Sequence, residues 1–270
     1  MINKDTQLCI SIAERPSNFG TTLHNMAYKA LKLDFIYKAF AVRDLEGAIT
    51  GVRALGVRGC SVSMPFKKAV IPFLDELHET AESTGAVNTI VNDGTHLIGY
   101  NTDLIASRIV LANLKPKVNE RILILGAGGV ARSILCALRQ LGCKKVFVAN
   151  RDVRKILELN DIMPCTSLSW DMREHESIQL LINATSVGMT PANEIMPVSA
   201  DFINSVRAVM DVVVTPMESL LISCARASGK EVAPGYLMSL EQTIAQFTLY
   251  TKCQAPRLVM AEGIRKLLID

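Results

Sequence analysis

Three observations place this 270-residue chain among layered α/β proteins of two domains. Short β-branched apolar runs alternate with amphipathic stretches of helical period. A compact strand, a glycine-rich turn and a helix start follow one another around residue 126. Apolar types make up 49% and charged types 20%, the balance of a chain with a well-buried core. At roughly 100–200 residues per domain, the length suits one large domain or two modest ones. Disordered, collagenous and low-complexity architectures are excluded.

The elements follow in order. Leu8–Ile12 reads as a strand, Thr22–Leu33 as a helix and Ile36–Phe40 as a second strand. Leu45–Leu55 reads as a helix stopped by Gly56. Cys60–Ser63 is a short strand, and a helical segment is expected after Pro65. This alternation argues for a largely parallel sheet. Thr89–Val91 and His96–Gly99 flank Asn92-Asp93-Gly94, a hairpin-turn signal. Leu104–Leu114 has helical period and ends at Lys115-Pro116-Lys117. A second α/β unit follows: the strand Arg121–Leu125, a helix over Val130–Leu141 stopped by Gly142, and the strand Lys145–Ala149. Leu180–Asn183 and Ala208–Val213 fit further strands, and the chain is helical again from Ser239. No repeat of fixed period is present. The predicted organisation is a first domain over residues 1–103, a second over 104–238, and C-terminal helices over 239–270 that return to the first.

The glycine-rich turn is the most specific local signal. Ile122–Leu125 runs into Gly126-Ala127-Gly128-Gly129-Val130-Ala131, a Gly-x-Gly-x-x-Ala pattern between strand and helix. Gly126 permits the tight turn, Gly128 lets the backbone approach a pyrophosphate, and Ala131 permits close helix–strand packing. The helix start then offers unpaired N–H groups and partial positive charge to phosphates. A second strand ends about 20 residues later, where a dinucleotide-binding unit reads the ribose. The second domain therefore reads as a Rossmann-type, doubly wound parallel sheet. The strand tip carries Asn150-Arg151 in place of the acid that holds NAD ribose hydroxyls, with Arg154 and Lys155 one turn on. Guanidinium groups suit a 2′-phosphate through forked, charge-assisted bonds, which favours NADP, with NAD as the weaker alternative. Asp152 stands against this, either repelling the phosphate or pairing with Arg154.

Two polar clusters precede that unit. In Ser61-Val62-Ser63-Met64-Pro65-Phe66-Lys67 a strand ends and a helix start is expected, with Lys67 in its first turn. A helix dipole and burial there would favour a general base, although on the local sequence alone an exposed lysine beside Lys68 is the better fit. The second cluster is Asn88-Thr89 with Gly99-Tyr100-Asn101-Thr102-Asp103. On its own Asp103 reads as the N-cap of the Leu104 helix, and periodicity does not show whether it meets Lys67.

Composition narrows the partners. The charge is 29 Lys+Arg against 26 Asp+Glu, or +3, with five tyrosines and one tryptophan, which argues against nucleic acid. Seven scattered cysteines, none in a C-x-x-C pair, read as reduced thiols rather than a disulfide framework or a metal site. No signal-peptide core or apolar run of ~20 residues is present, so the expected location is the cytoplasm, away from membranes. His78 and His96 read as surface residues, and His24 as packing or capping.

Taken together, these segments resemble the shikimate dehydrogenase family over nearly the whole chain. The resemblance rests on His24-Asn25, Ser61–Lys67, Gly85–Thr89, Gly99–Asp103, Gly126–Gly129, Asn150-Arg151, Asn183–Met189, and Gly235–Met238 with Gln242. It implies a catalytic pair of Lys67 and Asp103, with Asn88 and Gln242 on substrate hydroxyls and Asn18, Gly20 and Ser63 at further substrate-binding positions. It implies cofactor contacts at Gly126, Ala127, Gly128, Gly129, Val130, Asn150, Arg151, Lys155, Thr185, Val213, Gly235 and Met238. The implied reaction is NADP-linked interconversion of shikimate and 3-dehydroshikimate, a step toward aromatic amino acids. The implied partner is a small cyclic hydroxy acid, and the implied assembly a monomer or homodimer.

The departures matter as much. Where the family carries Ser-x-Ser for the substrate carboxylate, this chain has Asn18 and Gly20. Ser63 replaces a threonine, Val214 a tyrosine, and Leu104 the glycine after the catalytic aspartate. A carboxylate that loses hydroxyl donors binds poorly, so reduced efficiency is expected, and restoring serine at 18 and 20 is expected to raise it. The alternatives are a changed substrate, such as quinate or an amino-shikimate, and a nucleotide-binding sensor without efficient turnover.

Overall fold

The computed structural model describes residues 2–269. β1 (Gln7–Ala13) leads through a loop to α1 (Phe19–Ala30), then β2 (Phe35–Ala41), α2 (Leu45–Ala54) and β3 (Gly59–Val62). β4 (Glu76–Leu77), α3 (Glu79–Thr84), β5 (Thr89–Asn92), β6 (Leu97–Tyr100) and α4 (Thr102–Asn113) follow. The second series is β7 (Arg121–Leu125), α5 (Gly129–Gln140), β8 (Lys145–Asn150), α6 (Arg154–Leu157) and β9 (Thr166–Ser169). It continues with β10 (Leu180–Asn183), α7 (Ala200–Ser205), β11 (Ala208–Asp211), α8 (Leu220–Ala227) and β12 (Glu231–Ala233). α9 (Gly235–Thr251) and α10 (Arg257–Ile269) end the chain.

The chain forms two compact units, one comprising the chain up to Ile105 and from Gln242 onward, the other Ala106–Glu241. Both boundaries fall within helices, α4 and α9, a few residues beyond the expected 103 and 238. No linker composition marks a boundary that runs through a helix.

The first unit holds a six-stranded sheet in the order β2-β1-β3-β5-β6-β4. Its first three strands are parallel, but β5 runs antiparallel to both β3 and β6. The sheet is largely parallel, as expected, with β4 also parallel to β6 and β5 the antiparallel exception. The β5–β6 hairpin forms because Asp93 Oδ1 accepts from the Thr95 and His96 backbones, both at 2.8 Å. A core of Ile10, Ile12, Ile49, Val52, Val62 and Ile90 holds the layers together. The C-terminal helices belong to this unit: Arg58 Nε donates to the Tyr250 carbonyl at the end of α9 at 2.9 Å.

The second unit is parallel throughout, in the order β12-β11-β10-β7-β8-β9. The strand order reverses beside β7, as in doubly wound dinucleotide-binding sheets. Ala131 is fully buried where α5 meets the sheet.

The segment after Pro65 departs from expectation. It forms successive turns and a single 3₁₀ turn at Ile71–Phe73, not an α-helix. Phe66 N bonds the Ser63 carbonyl at 2.9 Å, while the Lys67 carbonyl accepts from Val87 at 2.8 Å, tying the loop toward β5. The helix dipole expected from Lys67's own segment is therefore absent.

Candidate active site

In the first unit a cavity of about 180 Å³ opens beside the C-terminal end of β3. Ser61, Ser63, Lys67, Gln242 and Gln246 line one part of it, and Arg15, Ser17 and Gly20 another. Lys67 Nζ donates to Asp103 Oδ2 at 2.6 Å, with the two side chains 25% and 9% exposed. Local chemistry explains why Asp103 is available. Asn101, not Asp103, caps α4, its Oδ1 accepting from Leu104 N at 3.0 Å. Asp103 then lies in the first turn, where the helix dipole favours a carboxylate.

A buried polar network fixes the surroundings of the pair. Asn88 Oδ1 accepts from Thr89 Oγ1 at 2.9 Å, Thr102 N at 2.8 Å and Thr102 Oγ1 at 3.0 Å. Those three donors orient the amide and leave Asn88 Nδ2 buried without a partner, a donor free for a ligand oxygen. Gln246, which sequence reasoning missed, donates to Ser61 Oγ at 3.1 Å and to Thr89 Oγ1 at 3.0 Å. Its place four residues after Gln242, on the same face of α9, is the signal that finds it.

Not every expected residue reaches the cavity. Gly20, Ser63, Lys67 and Gln242 line it, whereas buried Asn88 and exposed Asn18 do not. Asn18 precedes α1 with no side-chain cap bond, and its carbonyl accepts from Thr22 at 2.9 Å. A Cβ at Gly20 would stand 3.0 Å from Tyr37 Oη. Serine there does not simply restore a donor, because the Tyr37 ring occupies the space. His24 is fully buried and stacks on Tyr37 at 4.4 Å, and burial lowers its pKa to about 3. It packs, and burial keeps it neutral near pH 7.

In the second unit a cavity of about 540 Å³ lies over the C-terminal ends of the strands. Gly126 adopts φ +98°, and its N–H donates to the Ala149 carbonyl at 2.8 Å, forming the turn between β7 and α5. Gly128 precedes α5 without a side-chain cap. A Cβ at Gly128 or Gly129 would meet nothing within 4 Å. Open space above an uncapped helix start fits a pyrophosphate.

At the tip of β8, Asp152 binds its neighbour: Arg154 Nε donates to Asp152 Oδ1 at 3.0 Å, and this pairing lowers the Asp152 pKa. Asn150 Nδ2 donates to the Asp152 carbonyl at 2.8 Å and shapes the same turn. Arg151 lines the cavity and, like the nearby Lys155 side chain, has no ion-pair partner among the described residues. Gly126, Ala127, Gly128, Asn150, Arg151 and Thr185 line the cavity, whereas Gly129, Val130, Lys155, Val213, Gly235 and Met238 do not.

The opposite wall is set by Asn183. Its Oδ1 accepts from Thr185 Oγ1 at 2.7 Å, and its Nδ2 donates to Asp211 Oδ1 at 3.0 Å. Burial raises the Asp211 pKa, and Ser219 Oγ donates to Oδ2 at 2.5 Å. Trp170, the one tryptophan, also lines the cavity. Sequence reasoning missed it because polar Thr166–Ser169 gave no strand signal, so nothing placed the residue beside the β8 tip.

A family model described as the shikimate dehydrogenase substrate binding domain matches residues 19–90. A second, described as shikimate/quinate 5-dehydrogenase, matches residues 108–218. A shikimate dehydrogenase-like protein of Haemophilus influenzae is 42% identical over 265 residues, covering 97% of each chain. The chain belongs to the shikimate dehydrogenase family. A second family member, the NADP(+) shikimate dehydrogenase of Moorella thermoacetica, is 38% identical over 260 residues, 91% of this chain and 88% of its own. A shikimate dehydrogenase solved in complex with NADP+ superposes with a TM-score of 0.90 at 30% identity, covering 99% of this chain and 98% of the other.

Among the described residues no helix is long and apolar enough to cross a membrane. None of the described His, Cys, Asp and Glu side chains form a group of three or more able to hold a metal ion.

Proposed function

We propose that the chain interconverts shikimate and 3-dehydroshikimate with NADP, less efficiently than relatives that keep the Ser-x-Ser hydroxyls. The observation that carries this reading is the 2.6 Å Lys67–Asp103 pair, half-sequestered in the wall of a polar cavity of substrate size. When bound, the nicotinamide supplies the hydride acceptor or donor. Gly126–Gly128 and the start of α5 would hold the pyrophosphate, and Arg151 would take the 2′-phosphate.

Lys67 handles the proton on the 3-oxygen. In reduction its ammonium donates to the carbonyl oxygen; in oxidation the Lys67–Asp103 pair takes up the alcohol proton as the hydride leaves carbon. Asp103 orients the ammonium and balances its charge. Asn88 Nδ2 and Gln242 bind ring hydroxyls, replacing water lost on entry.

The test is turnover with NADP+ and a panel of shikimate, quinate and amino-shikimate, in wild type and Lys67→Ala. Shikimate oxidation should be measurable, and Lys67→Ala should lose at least ~10²-fold in kcat while keeping NADP binding, the scale of general acid–base catalysis. Near-normal turnover in a folded Lys67→Ala protein would refute the role. Activity confined to another ring acid would move the substrate, and nucleotide binding without any turnover would make the chain a sensor.

A further inference from the structure

We infer that Arg15 is the carboxylate anchor of this site, the residue that selects an anionic substrate in a chain without the Ser-x-Ser hydroxyls. The inference rests on the reading above, that a cyclic hydroxy acid occupies the first-unit cavity. Two cations line that cavity, Arg15 and Lys67, and no aspartate or glutamate does. The charge of Lys67 is matched by Asp103 at 2.6 Å. Among the described residues Arg15 has no ion-pair or side-chain hydrogen-bond partner, so its charge is the one the cavity leaves unbalanced. A ligand bearing one negative charge would neutralise it.

The loop between β1 and α1 explains the position. Arg15, Pro16, Ser17, Phe19 and Gly20 form one stretch of wall, while Asn18 turns outward. α1 starts at Phe19 without a side-chain cap, so its first-turn N–H groups add partial positive charge to the same stretch. Gly20 contributes backbone only, backed by the Tyr37 hydroxyl. A guanidinium offers a carboxylate two parallel N–H donors, a fuller match than two serine hydroxyls. Because Arg15 is exposed, water and salt screen it, and its binding contribution is correspondingly modest and salt-sensitive.

The test compares shikimate with its methyl ester by equilibrium titration of the full chain, in wild type, Arg15→Gln and Arg15→Lys. Wild type should favour shikimate about tenfold, the low end for a charge-assisted bond at an exposed site. Arg15→Gln should erase that preference by weakening shikimate alone, and should flatten its salt dependence. Arg15→Lys should keep most of the preference. Ester affinity unchanged across all three proteins separates charge recognition from damage to the fold. A shikimate preference that survives Arg15→Gln overturns the inference, as does a wild type that binds acid and ester alike; in both cases continued shikimate turnover leaves the proposed function standing. A wild type that binds and oxidises neither overturns the proposed function itself, and the anchor with it.

Discussion

Gly20→Ser places a side chain where the cavity wall is tightest. A Cβ built on Gly20 lies 3.0 Å from Tyr37 Oη, 3.1 Å from Cε1 and 3.3 Å from Cζ. Relaxed contacts between carbon atoms lie near ~3.5–4.0 Å, so the ring must retreat by several tenths of an ångström. It has little room to do so. Tyr37 is 2% exposed and stacks on His24 with the planes 5° apart and the centroids at 4.4 Å. Overpacking of this kind costs about 1–3 kcal/mol. Replacing a helical glycine returns about 0.5–1 kcal/mol of backbone entropy. The expected net loss is about 0–2.5 kcal/mol, a fall in Tm of up to roughly 10 °C for a chain of this size. Shikimate affinity should not improve, because the added hydroxyl arrives with a displaced ring. Tyr37→Phe removes the nearest atom and should cost less in the Gly20→Ser background than in wild type, a coupling that a double-mutant cycle reads directly. Thermal melts and kcat/KM on the four proteins decide it. A Gly20→Ser protein as stable as wild type and faster on shikimate would refute the packing argument.

Arg151→Ala should weaken NADP far more than NAD, because only NADP carries the 2′-phosphate; equal losses measured by titration would reduce Arg151 to a stacking role. Trp170 lines the nucleotide cavity and is the sole tryptophan, so NADPH titration should change its emission, and a silent titration with proven binding would place the nucleotide elsewhere. Burial lowers the His24 pKa to about 3, against 6.5 in the unfolded chain. The unfolded state then holds the extra proton between those values, so His24's share of stability is intact above about 6.5 and falls as the pH drops toward 3. The loss approaches about 1.4 kcal/mol per pH unit within that window. His24→Phe keeps the stack on Tyr37 and should flatten this limb of a denaturation-versus-pH curve; an unchanged slope would assign the limb to other groups.

The second unit was more legible in sequence than the first, and the reason is local. Its strands are buried on both faces, so Ile122–Leu125 and Leu180–Asn183 read as continuous apolar runs, and its glycine turn carries its own context. The missing pieces were polar or short: Thr166–Ser169 lies at the sheet edge, largely exposed, and Glu231–Ala233 has three residues. In the first unit five of the six strands were expected and the two-residue β4 was not, while the Asn92-Asp93-Gly94 turn gave the direction of β5 against β6. Alternation of strand and helix predicts parallel neighbours and does not show that the hairpin's first strand, β5, also pairs antiparallel with β3. The segment after Pro65 failed for a different reason. Ser63 and Pro65 are genuine start signals, but the carbonyl of Lys67 is claimed by Val87, a partner 20 residues away that no window of helical period can contain.

At the site, residue type was legible wherever a buried network enforces it. Asp103 reaches Lys67 only because Asn101 takes over the cap of α4, and Asn88 presents its amide nitrogen only because three donors hold its oxygen. Each of these side chains is replaceable only at the cost of a buried unpaired group, so pattern and geometry stay coupled there. The loop from Arg15 to Gly20 is held differently. Among the described residues its one side-chain bond is a long contact, Phe19 N to Ser17 Oγ at 3.4 Å, and most of it faces solvent. Spacing from His24 puts Asn18 and Gly20 in register with the family's serines, yet the chain path turns Asn18 out and Arg15 in. A loop with few obligations to the core can exchange hydroxyl donors for a guanidinium without disturbing the proton-transfer pair, because the two sets of residues share no hydrogen bond. Register along the sequence therefore locates the acid–base machinery, while the anion-binding end has to be read from the folded wall.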